Sequence, residues 1–197
     1  AALNARTIYI VDDKLPKMET ARTLFENVDG IAIALRNMML NANADDRKKQ
    51  LDVIAESRKV GDATVAELQG MIKSEKGTAK LRAIIENRAK YREGQEKLAA
   101  LLHAGDDEGA KAYLSNELRP VLGAYKDALH ILIDHEIAQI RQTGDAAIAT
   151  YDAARELMIG LGAIAIVLAA AIGWTITRRL LSQLGGEPDY ASSIAAE

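Results

Sequence analysis

Apolar residues recur at alternating steps of four and three along much of the chain. Leu24, Val28, Ile31, Leu35 and Met38 form one series, and Leu114, Leu118, Val121, Tyr125, Leu129 and Leu132 another. This spacing puts each series on one face of a helix and reads as a packing seam. Small polar clusters interrupt the pattern: NANADD at 41–46, KSEKGT at 73–78 with Thr78 as N-cap, and AGDDEG at 104–109 with Asp106 or Asp107 as cap. Three breaks predict four long helices, about 3–41, 45–74, 78–104 and 107–156. Short connections between long helices imply antiparallel neighbours. The fold class expected is all-α, an antiparallel up-down four-helix bundle. Pro16 and Pro120 fall inside predicted helices, where each should kink or restart its helix.

The pattern changes at Leu157. From there to Thr177 the chain reads LMIGLGAIAIVLAAAIGWTIT, without a charge. Roughly 20 such residues cross a hydrocarbon core as a helix. The last bundle helix is expected to continue into this span. Arg178 and Arg179 follow at once and favour the cytoplasmic side, and Trp174 sits where an interfacial aromatic anchors. The expected order is a periplasmic sensor domain over 1–156, a transmembrane helix over 157–177 in the lipid bilayer of the inner membrane, and a cytoplasmic linker from 178 to 197. AALNARTIYIV, at the start, is too short to cross, so a first span is expected upstream.

Composition narrows the chemistry. The 197 residues carry a formal charge of -3, so nucleic acid is not an expected partner. With no Cys there is neither a disulfide nor a thiolate metal site. His130 and Asp134 share a helical face, but solvated surface is the expectation there, and no metal or cofactor is expected. No nucleophile elbow, phosphate loop or catalytic constellation is visible, so the chain is not expected to be an enzyme.

The informative residues are polar ones on the seams. On the third predicted helix Arg88, Tyr91 and Gln95 stand between Ile84 and Leu98, and on the second Arg58 and Gly61 stand between Ile54 and Val65. At about 1.5 Å of rise per residue, Arg58 and Tyr91 share a level, with Arg88 and Tyr125 one or two turns lower. Two guanidinium groups inside a bundle need anions. Either Glu56, Asp62, Glu86 or Glu93 supplies them, or an anionic ligand does. The ligand reading makes Arg58, Arg88, Tyr91, Gln95 and Tyr125 a pocket for a small organic acid, with Gly61 leaving room. Arg36 and Asn37 stand nearer the distal end of the first helix as further candidates.

This arrangement resembles methyl-accepting chemotaxis receptors, in the four-helix-bundle sensor class that includes the aspartate and serine receptors. The segments carrying the likeness are IALRNMMLNANADDRKKQLDVIAESR at 33–58 and the run from Arg178 to Pro188. LLSQLGGEPDYASSIAAE is similar to the start of the HAMP linker in receptors of beta-proteobacteria. The resemblance implies a homodimer joined through the first and last helices, and a cytoplasmic kinase and adaptor as partners. It also implies that helix 1 arginines near the distal end hold ligand carboxylates, where Arg36 matches best, accompanied by Asn37. The family's further helix 1 arginines are absent, since Asn41 and Asn43 follow. That departure favours the layer with Arg58, Arg88 and Tyr91, and a di- or tricarboxylate such as citrate or malate. The alternatives are an amino-acid chemoreceptor, the sensor of a membrane histidine kinase, and a membrane-anchored coiled coil without ligand.

Overall fold

The computed structural model describes residues 2–41 and 43–183. The described residues contain helices and no strands. In chain order they are α1 (Ala2–Ile8), a π-helical turn (Tyr9–Lys14), α2 (Leu15–Leu40), α3 (Ala44–Met71), α4 (Glu75–His103), α5 (Asp107–Tyr113), a second π-helical turn (Leu114–Leu118) and α6 (Arg119–Gln183). They divide into two compact units between Asp145 and Ala146.

The first unit is a four-helix bundle. Both expected seams lie in it, with Leu24, Val28, Leu35, Leu118, Leu129 and Leu132 almost wholly buried. α3 contributes Ile54, Val65 and Leu68, and α4 contributes Leu81, Ile84 and Leu98. Leu51, one turn before Ile54 on α3, is exposed.

The connections follow from capping chemistry. Asn43 caps α3, its side chain accepting from the amides of Asp45 at 2.9 Å and Asp46 at 3.3 Å. Those two carboxylates also suit the positive end of the helix. α4 starts earlier than the sequence suggested. Ser74, not Thr78, is its cap and accepts from the Gly77 amide at 3.1 Å. Thr78 lies in the helical first turns, since any hydroxyl at the true boundary outcompetes one further in. α4 ends on Gly105, whose φ of 77° is the left-handed conformation. The Asp106 amide then reaches back to the Leu101 carbonyl at 3.0 Å. Asp106 in turn caps α5 by accepting from Gly109 at 2.9 Å.

Both helical prolines follow a π-helical turn. Pro16 stands just after Tyr9–Lys14, and Pro120 just after Leu114–Leu118. A proline gives no amide to the carbonyl four residues back and its ring collides with it. Widening the preceding turn relieves both problems. The amides of Leu15 and Arg119 then bond five residues back, to Ile10 and Leu114. The helices therefore continue past each proline, through a local π turn rather than a break.

The second unit is helical through Gln183. α6 carries a stretch long and apolar enough to cross a membrane. Its apolar side chains, Leu157, Ile166, Val167 and Ile172 among them, are exposed around the helix. Of the residues expected to begin a HAMP linker, 178–183 continue α6, and 184–197 lie outside the described residues.

Candidate functional site

The expected polar layer forms between α3 and α4. Arg58 Nε donates to Gln95 Oε1 at 3.0 Å, and Arg58 Nη1 lies 3.5 Å from Glu96 Oε1. Arg88 Nη2 lies 2.7 Å from Asp62 Oδ1 and donates to the Arg58 carbonyl at 3.4 Å. Arg92 Nη1 shares the same Asp62 oxygen at 3.5 Å. Of the carboxylates the sequence offered, Asp62 serves Arg88. Arg58 turns to Glu96 instead, because Glu96 follows its hydrogen-bond partner Gln95. Gly61 provides room for Arg88 itself: a Cβ there would meet Arg88 Nη2 and Asn27 Oδ1, each at 3.3 Å.

Tyr91 from α4 and Tyr125 from α6 close the layer. Their rings are tilted by 48° with centroids 6.1 Å apart. Each residue is only 2% exposed, and neither hydroxyl has a hydrogen-bond partner. Burial pushes the Tyr125 phenol up to about 12, with the Arg88 charge and its close N–H donors, too poorly aligned for a regular hydrogen bond, acting the other way. Burial, with Asp29 behind it, pushes Tyr91 higher still. Both hydroxyls therefore keep their protons at neutral pH. The Arg88 hydrogen bond holds Asp62 below the usual carboxylate value, against a smaller opposing effect of burial. Burial and the Arg92 charge lower Arg58, which stays charged. The cavity that Arg58, Arg88, Tyr91, Gln95 and Tyr125 line measures about 20 Å³.

A larger cleft opens on the other side of Tyr91, with a volume of about 400 Å³. α2 contributes Leu35 and Arg36 to it, and the second π turn and α6 contribute Ser115, Leu118 and Arg119. Among the described residues neither Arg36 nor Arg119 has an ion pair. The cleft thus combines two free guanidinium groups, a hydroxyl and an aliphatic floor. Asn37 lies outside it, in an open hollow of about 430 Å³ at the bundle tip with Asp46 and Gln50. Its amide donates to Gln50 Oε1 at 3.5 Å, and Asp46 makes that hollow unfavourable for an anion.

The seven candidate residues therefore fall into three places. Arg36 and Tyr91 line the cleft; Arg58, Arg88, Gln95 and Tyr125, again with Tyr91, line the small cavity; Asn37 lines the tip. Arg119 escaped the sequence reading. Its only signal was a spacing of one turn from Ser115 on the wall opposite Arg36, which means nothing until α2 and α6 are known to be neighbours.

A family model described as a four helix bundle sensory module for signal transduction matches residues 2–151. No curated protein matches the chain.

Proposed function

Because the chain belongs to the four-helix-bundle sensory modules for signal transduction, we propose that it is the outer sensor and second membrane span of a chemotaxis receptor for a small di- or tricarboxylate. The observation carrying this reading is the cleft in which Arg36 and Arg119 face common space without carboxylate partners. Planar guanidinium groups bind carboxylates through paired hydrogen bonds. One carboxylate to each arginine, with the carbon chain over Leu35 and Leu118, uses both guanidinium groups and the aliphatic floor of the cleft.

Such a ligand bridges α2 to α6 and favours the relative position in which both arginines reach it. A ligand shifts a receptor only by binding one conformation more tightly. Displacements of about 1–2 Å are typical at helix interfaces. The π turn before Pro120 is the compliant point, since its hydrogen bonding already departs from the regular helix. α6 would carry the shift through the bilayer to a cytoplasmic HAMP linker, kinase and adaptor, with Arg178 and Arg179 inside the cell. A homodimer joined through the first and last helices completes the proposal.

A second reading places the acid in the inner layer, on Arg58, Arg88, Gln95 and Tyr125. The unpartnered tyrosyl hydroxyls favour it. With the helices packed as they are, the acid would have to part them and displace Asp62 from Arg88.

Isothermal titration of the detergent-solubilised chain with citrate, malate, succinate and aspartate tests both readings. The cleft reading expects saturable heat with a di- or tricarboxylate. Arg36→Ala or Arg119→Ala should weaken binding about tenfold or more, or roughly 1.4 kcal/mol. Loss on Arg58→Ala with retention in Arg36→Ala selects the inner layer. Heat with aspartate alone selects an amino-acid receptor. No heat with any acid at millimolar concentration removes the organic-acid proposal.

A further inference from the structure

The cavity of about 20 Å³ between α2, α3, α4 and α6 has three properties that belong together. The first is size. A water-sized group needs about 10–15 Å³ by the same measure, so the cavity admits one such guest. Carboxylates, phosphate and sulfate are too large.

The second is an excess of donors. Tyr91 and Tyr125 line this cavity and are each 98% buried; Arg88 approaches the Tyr125 oxygen only as a donor, so neither hydroxyl proton has an acceptor. Buried hydroxyls are rarely left so, because desolvation is not repaid. Of the acceptors on the lining, the Gln95 amide oxygen is already engaged by Arg58, and the Asn27 and Ser57 side chains bond to neither hydroxyl.

The third is charge. Arg58, Arg88 and Arg92 all line the cavity. The carboxylates facing them are Asp62, shared by Arg88 and Arg92, and Glu96, 3.5 Å from Arg58. One positive charge is left over. From α2, Asp29 pairs with Lys126.

We propose that this cavity binds a single monoatomic anion, chloride in the periplasm, held by the Tyr91 and Tyr125 hydroxyls and the field of Arg58 and Arg88. A halide accepts from several donors and offers none, which is what the lining requires. It also supplies the missing negative charge. Because Tyr91 and Tyr125 keep their protons, both remain donors over the physiological range. The site is separate from the Arg36–Arg119 cleft, and the inference stands without the organic-acid proposal.

The test is thermal unfolding of the full chain in detergent, followed by circular dichroism. Sodium chloride or bromide is titrated against sodium methanesulfonate at constant ionic strength, with no carboxylate present. We expect a saturable rise in Tm with either halide that is absent from Tyr91→Phe/Tyr125→Phe. Equal Tm in halide and methanesulfonate overturns the proposal, as does a halide effect that persists in the double variant. Should the double variant fail to fold, bromide-soaked crystals of the unaltered chain decide. An anomalous peak within about 3.5 Å of both hydroxyls, near the outer limit for a hydrogen bond to a light atom, supports the site. A water there without anomalous signal overturns it.

Discussion

Two groups of charges lie inside the bundle, and they are built differently. Toward the beginning of α2, Lys14 and Glu136 are 7% and 3% exposed, 3.2 Å apart. Lys14 also lies 3.1 Å from Asp13, which Lys17 holds at 2.5 Å. The Tyr9 ring covers Lys14 at 4.9 Å. Two cations meet two anions there. Burial alone would lower the Lys14 value, but Tyr9, Asp13 and Glu136 outweigh it and raise the value above that of a free lysine. The layer of Arg58 and Arg88, by contrast, has more guanidinium than carboxylate, keeps contact with solvent, and contains two hydroxyls without partners. A charge-balanced set ties the first π turn to α6 through the Lys14–Glu136 ion pair, even though Glu136 Oε2 makes no regular hydrogen bond. A set with surplus charge and free donors leaves coordination for a guest.

Breaking the enclosed set should have the largest effect. Lys14→Met leaves the buried Glu136 carboxylate without its ion-pair partner and should lower stability by about 3–5 kcal/mol. Adding Glu136→Leu should restore most of it. If single and double variants melt together, the two side chains do not act as a pair. Arg88→Met should cost only about 1 kcal/mol, because the Asp62 it leaves behind is half exposed and water replaces the partner. A loss as large as that of Lys14→Met would erase the distinction between the two groups.

The difference should also appear in acid. Asp62 in the folded chain lies below the ordinary value of 3.8. Its contribution is therefore complete above that value and disappears as the pH falls through the depressed one. Chemical unfolding between about pH 5 and pH 2 should show stability dropping below about pH 4. Asp62→Asn should flatten part of that slope, and an unchanged slope would mean that Arg88 does not stabilise the carboxylate. The smallest effect is expected at the fully solvated pair. Lys59 Nζ lies 3.1 Å from Glu56, yet both are well exposed. Lys59→Ala should shift stability by no more than about 0.5 kcal/mol, which equilibrium denaturation resolves.

Much of this protein could be read directly from its residues. The alternation of Leu24, Val28, Ile31, Leu35 and Met38 specifies a buried helical stripe whatever it packs against, because the repeat is a property of one helix. The uncharged run from Leu157 to Thr177 is equally self-contained. Local capping was harder: Ser74 and Thr78 both offer hydroxyls, and the choice depends on which backbone amides are left free. The prolines were seen, but their outcome as π turns was not, since it depends on whether the neighbouring helices hold the chain straight.

What the sequence determined by itself was therefore the all-α class, the bundle seams and the apolar segment, each set by periodicity or length within a single element. Only the tertiary structure decided that Arg58 takes Glu96, that Gly61 makes room for Arg88, that Lys14 meets Glu136, and that Arg119 faces Arg36. Each of these joins residues on different helices. Such pairs depend on relative rotation and depth, and one helix's pattern fixes which face turns inward but not which side chain it will find there.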